Sequence, residues 1–257
     1  MKQTKTQKEK PVQPRAKKKT SLDLKNVRIV FFQDADYISD FRMDEKIAAF
    51  KKAGYKVSYY RQHFKPANGA NDDTACYFDT EEALVGCQIL ITLCKSENLK
   101  ELYLNEKGIL ETLDSGAYCL DFSFCNAQTS REIQTLAALK DIHYVDAPFD
   151  CLGPEESTIM FVGGEEKPRN DLMPLLPYFA NTIECYEKPG DGQIAIYIAY
   201  HALFSGILEA STLILCYRRM GLSKKGILKA LNDAGCASRI YREYVPKMLN
   251  EDYIAGL

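Results

Sequence analysis

Short apolar runs alternate with helix-like segments along most of this chain, and that alternation is the feature that most limits its fold. Six runs have the length and the β-branched or aromatic content of strands: residues 27–33, 56–61, 88–94, 117–123, 143–146 and 157–164. Helix-like segments lie between them at 42–53, 97–103, 109–113 and 130–139. This pattern predicts the α/β class, with a Rossmann-like, doubly wound and mainly parallel sheet covered by helices on both faces.

The last third of the chain has helix patterns and no strand patterns. Strand patterns end near residue 187, so we place a Rossmann-like domain at 26–187 and a shortened all-α domain at 188–257. One long helix is predicted over 193–218, and the stretch 192–208 carries no formal charge. A run of that length can cross a membrane, but four residues interrupt it: Tyr197, Tyr200, His201 and Ser205. We therefore predict no membrane span and expect the helix to be buried on nearly all sides, in a domain or dimer core.

The N-terminal end is strongly basic. Residues 1–20 contain eight basic residues against Glu9, a balance of +7, which leaves −9 for the rest of a chain whose total is −2. Because the segment lacks an apolar face, we predict a disordered basic tail over residues 1–25. Such a tail can contact nucleic acid or an anionic surface by releasing counterions. The simpler alternative is a solvated tail that keeps the protein soluble.

Nine cysteines are spread through the chain without a Cys-x-x-Cys pair. This spacing does not supply the ligand set of a zinc site, so no metal centre is predicted. The N-terminal segment lacks the apolar core of a signal peptide. We therefore expect reduced cysteines in a cytoplasmic protein.

Several motifs follow one another in a fixed order. They are Leu120-Asp-Phe-Ser-Phe-Cys-Asn-Ala-Gln-Thr-Ser-Arg131, Tyr144-Val-Asp-Ala-Pro-Phe-Asp150 and Ile159-Met-Phe-Val-Gly-Gly164, with Ala53-Gly-Tyr-Lys-Val57 before them and Gly192-Gln193 after them. Together they resemble the motifs of the β-hydroxyacid dehydrogenase family, which includes 3-hydroxyisobutyrate dehydrogenase and lies in the 6-phosphogluconate dehydrogenase superfamily. The resemblance covers about residues 27–257, and motif order over that length is more specific than any single motif.

The resemblance implies a dinucleotide-binding domain followed by a helical domain, whose long first helix runs through a homodimer interface. It also implies hydride transfer between a nicotinamide cofactor and the β-hydroxyl of a small acid, with a helix lysine acting on that hydroxyl. The helical domain of this chain is about half as long as the family's. We therefore expect either a fragment or a protein that has shed that half.

The cofactor loop departs from the family pattern. Family members carry Gly-x-Gly-x-x-Gly after the first strand, because glycine allows the tight turn and the close approach to the pyrophosphate. The matching positions here are Gln33, Ala35 and Ile38, and Asp34 and Asp36 add negative charge. A carboxylate about 4–5 Å from a phosphate charge opposes it by roughly 3–4 kcal/mol at an effective dielectric near 20. We therefore expect this chain to bind no cofactor.

A remodelled loop that binds NADP through side chains is the alternative. Arg61 ends the second predicted strand, where it could pair with a 2′-phosphate, and no acidic residue follows that strand to take a ribose hydroxyl. A surface arginine without that role is the simpler interpretation.

The catalytic helix also departs from the family. The family motif Gly-Gln-x-x-Lys-x-x-x-Asn places lysine and asparagine one turn apart on one helix face. The matching residues here are Ile196 and Tyr200, and isoleucine cannot supply the acid–base help that is worth about 10²–10⁴ in rate. Tyr197, Tyr200 and His201 are alternative proton donors, although aromatic residues on such a helix more often pack its core.

The substrate loop has lost its glycines as well. After Asp146-Ala-Pro148 the chain continues with bulky and acidic residues, among them Asp150 and Glu155, which would repel an acid substrate. Ser123 alone matches a substrate-contacting residue of the family. A lone serine at a strand end is more often a turn or cap residue.

Two functional hypotheses follow from these departures. The first is a pseudo-dehydrogenase that keeps the fold as a binding or assembly module, since the cofactor loop, the lysine, the asparagine and the substrate loop all change together. The second is a redirected NADP-dependent reductase with a tyrosine proton donor. It is suggested by the imine reductases, which resemble this family and replace its lysine. Those relatives keep their glycine loop, and this chain does not, so the first hypothesis is preferred.

Overall fold

The protein is organised around one sheet, and its strands and helices alternate along the chain. The computed structural model describes residues 22–33, 43–61, 83–150, 158–233 and 239–250. Within these residues the strands are β1 (Arg28–Gln33), β2 (Lys56–Arg61), β3 (Ile89–Leu93), β4 (Tyr118–Asp121), β5 (His143–Asp146), β6 (Phe149–Asp150), β7 (Ile159–Gly163) and β8 (Thr182–Tyr186). The helices are α1 (Met43–Lys52), α2 (Ser96–Leu104), α3 (Ile109–Thr112), α4 (Ala127–Leu139), α5 (Glu166–Leu172), a 3₁₀ helix (Met173–Tyr178), α6 (Asp191–Arg219), α7 (Lys224–Asp233) and α8 (Arg239–Leu249).

Five strands run parallel in the order β2-β1-β3-β4-β5. β7 then pairs with β5 in the antiparallel sense, and it also pairs with β6 and β8. Because the chain passes from β1 outward to β2 and then returns past β1 to β3, the direction of winding reverses between β1 and β3. Such a reversal opens a crevice at the carboxyl ends of the strands, where ligands usually bind in doubly wound sheets. The predicted α/β class with a mainly parallel sheet is confirmed.

Alternate residues of β1 enter two different hydrophobic layers. Ile29 and Phe31 pack on the side of α1 and the 3₁₀ helix, whereas Val30 and Phe32 pack on the side of α2, α3 and α4. All four side chains are buried. Burial on both faces explains why the strands appear in the sequence as continuous apolar runs.

The structure extends and corrects the sequence-based assignment. It contains four elements that the sequence patterns did not indicate, namely β6, α5, the 3₁₀ helix and β8. The predicted tail also ends too late, because Leu22 and Leu24 pack against the core and the Lys25 ammonium donates a hydrogen bond to the Ala53 carbonyl. Residues 1–21, which carry the predicted contact with nucleic acid or an anionic surface, lie outside the described residues.

The long helix α6 is present, but most of it is not buried within this chain. Its buried positions fall into two groups, one near its start and one at Ala210 and Ile214. The second group packs against α7 and α8 through Ile227 and Val245. Between and beside these groups large apolar side chains are exposed, including Ile198 at 65% and Leu208 at 69%. The expectation of nearly complete burial is therefore wrong for the single chain, because among the described residues the buried positions of α6 are confined to these two groups.

By length and composition α6 could also cross a membrane, and 11% of its most apolar 18-residue window is buried. One such helix is weak support for a span, since core helices pass the same criterion. The helix is attached at its start to the sheet and further along to α7 and α8. The helix α6 is therefore part of the folded unit.

Phe50 of α1 is the centre of an aromatic cluster that holds one layer on the sheet. Its ring is fully buried and lies 5.5 Å from the ring of Phe31, 4.7 Å from that of Tyr178 and 5.2 Å from that of Phe179. We expect Phe50→Ala to lower the free energy of unfolding by about 3–5 kcal/mol, because it removes these contacts and leaves a cavity. Urea denaturation measures the loss. Leu139→Ala, at a position 80% exposed, should change it by less than about 0.5 kcal/mol, and equal losses for the two variants would contradict this account of the core.

Candidate functional site

Buried polar side chains gather where the carboxyl ends of the parallel strands meet the start of α6. Six of the eight buried polar side chains among the described residues lie in this region: Gln33, Thr92, Asp121, Ser123, Asp146 and Gln193. Burying a polar group costs free energy unless it finds a hydrogen-bond partner. This edge of the sheet is therefore the candidate functional site, and its hydrogen bonds show what each residue does.

Asp121, at the end of β4, is the centre of one network. Its Oδ1 accepts hydrogen bonds from the Thr92 hydroxyl at 2.9 Å and the Ser123 N–H at 3.0 Å, and its Oδ2 accepts one from the Tyr144 hydroxyl at 2.7 Å. Burial raises the pKa of the Asp121 carboxyl above its ordinary value, and these donors lower it in part. Since all of these groups are buried, the network fixes the strand ends and does not face a ligand.

Ser123 is fully buried within the same region. Its hydroxyl oxygen accepts a hydrogen bond from the Cys94 N–H at 2.9 Å, and its main-chain carbonyl accepts one from the Gln193 side-chain amide at 2.8 Å. The predicted substrate-contacting serine thus holds the loop after β3 and the start of α6. In this arrangement its hydroxyl has no exposed surface to offer a substrate.

Gln193 joins the sheet to α6 through its side chain. Besides its bond to Ser123, its Oε1 accepts a hydrogen bond from the Cys125 N–H at 3.0 Å. Both polar ends of the amide are therefore engaged with the loop after β4. Gly192-Gln193 is recognisable in the sequence only as part of a family motif, and the role of the glutamine has no local signature because its partners lie about 70 residues earlier in the chain.

Asp146, at the end of β5, caps the first turn of α6. One oxygen accepts a hydrogen bond from the Gly190 N–H at 2.7 Å, and the other accepts one from the Gln193 N–H at 3.2 Å. Burial raises the pKa of this carboxyl to about 7, although the two N–H groups lower it in part. Gly190 is the residue before the helix and has no side chain to cap it, so a carboxyl from the sheet takes that role.

Glycine is required where α6 touches the sheet. A Cβ added to Gly192 would lie 2.8 Å from Asp146 Oδ2, and it would also overlap the Phe161 carbonyl oxygen. Gly190 adopts a φ of 80°, in the left-handed region that favours glycine, and a Cβ there would meet the Ala127 carbonyl. The first turn of the helix therefore contacts backbone directly, which fixes the direction in which the following residues point.

Ile196 follows one turn after Gly192 and Gln193. Its side chain is 1% exposed and packs with Phe161 and Ala195. Tyr200, one turn further, is partly buried; its ring lies edge-on to Phe124 at 5.5 Å. The positions that the resemblance assigns to lysine and asparagine are thus occupied by an apolar side chain and an aromatic ring.

The two other predicted proton donors lie on the outer side of the helix. Tyr197 is 45% exposed and packs its ring against Phe124 at 4.6 Å, and His201 is exposed. Of the three donors, Tyr200 is the most enclosed, and it also stacks on Phe204 at 5.7 Å. The helix therefore presents an aromatic surface where the family is expected to present polar groups.

A shallow cleft of about 340 Å³ lies between α6 and the sheet edge formed by β7 and β8. Its lining is mostly apolar, from Phe161, Tyr186, Ile194, Ala195, Ile198 and Ala199, with Asp191. That carboxylate faces Arg131 at 3.3 Å. Among the described residues, no group of three His, Cys, Asp or Glu side chains is arranged to hold a metal ion.

The match to known families agrees with this architecture. A model of the NAD binding domain of 6-phosphogluconate dehydrogenase matches residues 43–187, which is more than half of the chain. The chain belongs to this family. Its fold is similar to that of solved 3-hydroxyisobutyrate dehydrogenases.

Individual relatives are distant. An uncharacterized oxidoreductase, YkwC, of Bacillus subtilis is 23% identical over 208 residues, which cover 79% of this chain and 72% of that protein. The structure of Mycobacterium tuberculosis 3-hydroxyisobutyrate dehydrogenase with L-serine has a TM-score of 0.74 at 19% identity and covers 90% of this chain and 81% of its own. A variant of an imine reductase from Myxococcus stipitatus in complex with NAD⁺ has a TM-score of 0.66 at 14% identity, with 87% and 76% covered. At these identities the structural likeness establishes the fold.

The family's dinucleotide can be tested against the one described residue of the cofactor loop. Gln33, at the carboxyl end of β1, stands where the first glycine is expected, and its side chain is buried. Its Oε1 accepts a hydrogen bond from the Tyr59 hydroxyl at 2.6 Å. A packed glutamine does not fit the bare backbone that lets a pyrophosphate approach.

The sequence also predicted contacts with the cofactor for Ala35, Ile38 and Arg61. Ala35 and Ile38 lie outside the described residues. Arg61 pairs with Gln33 across β1 and β2, so its backbone lies next to the crevice. Its side chain lies outside the description, and the predicted pairing with a 2′-phosphate stays a prediction.

The contact of α6 with the sheet can be tested by one added methyl group. We expect Gly192→Ala to lower the free energy of unfolding by about 1–3 kcal/mol, because its Cβ meets backbone and a buried carboxyl that cannot move aside. Gly226→Ala in α7 is the matched control, since its nearest neighbour is the end of the Leu222 side chain, and alanine favours a helix by about 0.5–1 kcal/mol. Thermal and urea unfolding compare the two. A Gly192→Ala protein as stable as the control would contradict this packing.

Proposed function

We propose that this protein is a member of the dehydrogenase family that has lost dinucleotide binding and hydride transfer and acts as a binding or assembly module. The observation that carries the proposal is Ile196, which stands at the position of the family's lysine and is buried between Phe161 and Ala195. Gln193 and Gly192, one turn earlier, keep their contacts with the sheet. The start of the helix is therefore held on the sheet, and an apolar side chain stands at the position that the resemblance assigns to the acid–base group.

The buried Gln33 supports the same proposal from the cofactor side. Its side chain extends from the carboxyl end of β1, beside the crevice where the sheet reverses its winding. A pyrophosphate would have to displace a buried amide that is hydrogen-bonded to Tyr59, and breaking a buried hydrogen bond costs about 1–3 kcal/mol. Asp34 and Asp36 would add charge repulsion.

A redirected NADP-dependent reductase is the second candidate. It is favoured by Tyr200, which is partly buried one turn after Ile196 and could donate a proton from its hydroxyl. The likeness to an imine reductase supports it as well, and Arg61 would then pair with the 2′-phosphate. The packed Gln33 weighs against it.

Calorimetric titration separates the two candidates. We expect no saturable binding of NADH or NADPH up to millimolar concentration, because the diphosphate meets a filled position at Gln33. The Myxococcus stipitatus imine reductase, titrated with NAD⁺, controls for the method. Saturation by micromolar NADPH would contradict the proposal and favour the reductase.

A lysine variant tests whether dinucleotide binding is lost independently of the acid–base group. Ile196→Lys restores the family's acid–base group, yet we expect it to remain inactive with 3-hydroxyisobutyrate and NAD⁺, since the cofactor loop stays unchanged. Measurable turnover by this variant would show that the loop still accepts a dinucleotide.

The exposed side of α6 supports the proposed homodimer. Phe204, Leu208 and Leu215 are 48%, 69% and 59% exposed, and an apolar stripe of this kind on a soluble protein is typical of an interface. A second copy of the same helix could cover it through a two-fold axis. For the location of the protein we propose the cytoplasm.

A charge on this stripe should dissociate the dimer. We expect the unchanged protein to sediment as a dimer and Leu208→Glu as a monomer, because the carboxylate would be buried without a partner. Leu139→Glu, on an exposed position of α4, is the matched control and should remain dimeric. Analytical ultracentrifugation measures both, and a dimeric Leu208→Glu protein would exclude this part of α6 from the interface.

A further inference from the structure

The turn that joins α6 to α7 carries large apolar side chains that face solvent. Every residue from 215 to 225 is exposed. The side chain of Met220 is 78% exposed, that of Tyr217 44% and that of Leu222 42%. Leaving apolar surface in water costs free energy, so neighbouring exposed apolar side chains at one end of a folded protein are typical of a contact surface.

Main-chain hydrogen bonds fix the shape of this turn. The Gly221 N–H donates to the Arg218 carbonyl at 3.0 Å, and the Leu222 N–H donates to the Tyr217 carbonyl at 3.0 Å. Gly221 has a φ of 90°, in the left-handed region that glycine adopts without strain. These features are those of a common glycine-based helix end. The apolar side chains on either side of Gly221 are therefore presented on a defined backbone.

Basic side chains surround the apolar ones. Residues 210–232 contain five basic residues and no acidic one, a balance of +5 in a chain whose total is −2. Four of the five frame the turn and are exposed: Arg218, Arg219, Lys224 and Lys225. Within the described part of the chain, no ion pair neutralises any of these four. Their charges are therefore available to an anionic partner.

The first turns of α7 continue the same surface. Lys225, Gly226 and Lys229 share one side of the helix by their spacing, and both lysines are exposed. Leu222 lies on that side as well, because a Cβ added to Gly226 would lie 2.9 Å from its Cδ1. Ile227, on another side of α7, is buried against α6 and α8. Apolar and basic side chains thus occupy one outward surface, which we call the α6–α7 tip, residues 217–229.

We propose that the α6–α7 tip docks on an anionic lipid surface. The basic side chains lie against the lipid phosphates and carboxylates, while Tyr217, Met220 and Leu222 enter the boundary between headgroups and acyl chains. Cations alone would suit nucleic acid equally well. The apolar side chains among them favour lipid, because they leave water only where an apolar layer lies behind the anionic groups.

This inference goes beyond the proposed function and rests on the tip alone. It holds whether or not the protein binds a dinucleotide. Residues 1–20 carry a balance of +7 and could bind the same lipid. A test in the full chain must therefore report on the position of the tip itself.

A single introduced tryptophan gives such a report, since the chain contains none. We expect the fluorescence of Met220→Trp to shift to shorter wavelength with vesicles of phosphatidylcholine and phosphatidylserine in equal parts, and to stay unchanged with phosphatidylcholine alone. Leu139→Trp on α4 is the matched control, because Leu139 is 80% exposed and Met220 78%. Its fluorescence should not shift. Binding through residues 1–20 alone would leave both spectra unchanged and would overturn the proposal.

The contribution of the basic residues is measured in the Met220→Trp protein. Arg218→Gln with Arg219→Gln removes two cations from the last turn of α6. We expect the vesicle concentration at half-saturation to rise about 25-fold, at about fivefold for each basic residue close to an anionic surface. Lys51→Gln with Lys52→Gln removes two exposed cations from the last turn of α1. This matched control should change it by less than about twofold, because charges farther from the lipid than a Debye length are screened.

Other occupants of the tip give different results. A Met220→Trp spectrum that is already shifted without vesicles, and that changes with protein concentration, would assign the tip to a second copy. A shift with duplex DNA and none with vesicles would assign it to nucleic acid. Either result, or equal effects of the two double variants, overturns the lipid surface. Leu222→Trp is the second reporter if Met220→Trp does not fold.

Discussion

The contact between the first turn of α6 and the carboxyl ends of β4, β5 and β7 is the constraint on which the rest of the site depends. Gly192 brings helix backbone against sheet backbone without an intervening side chain. The Gln193 amide and the Asp146 carboxyl then satisfy the polar groups that this close approach buries. Since backbone cannot be repacked, the rotation of α6 about its axis is fixed at its first turn.

Because the rotation of α6 is fixed, the direction of the side chain at position 196 is fixed as well. The residue one turn after Gly192 must point toward Phe161 and the sheet, whatever its chemistry. The resemblance implies a lysine at this position, and the chain has an isoleucine there. A displaced helix would leave room for a shifted functional group nearby, but the junction removes that freedom.

Sequence patterns predicted the parts of the fold that depend on local periodicity. The strands at residues 56–61 and 143–146 begin and end as predicted, because apolar runs buried on both faces are distinctive. β8 was missed because Thr182–Tyr186 is short and largely exposed, so it does not form a buried apolar run. The extent to which α6 is buried could not be predicted either, since periodicity does not show which side of a helix meets another element.

The positions of site residues could be predicted only where a family motif contains them. The motif alone placed Ile196 at the position that the resemblance assigns to the lysine. The roles of Ser123 and Asp146 could not, because each depends on contacts with residues 44 to 70 positions away. Hydrogen bonds across such distances have no local signature, so a serine that was expected to contact substrate is instead buried at the junction.

The central claim is that the position of a dinucleotide's diphosphate is filled by Gln33. The most direct measurement is a crystal structure of the protein grown with saturating NADPH. The account predicts that the Gln33 amide remains hydrogen-bonded to the Tyr59 hydroxyl and that no diphosphate density appears at the carboxyl end of β1. A diphosphate seated against Gln33, with the glutamine turned away from Tyr59, would contradict it.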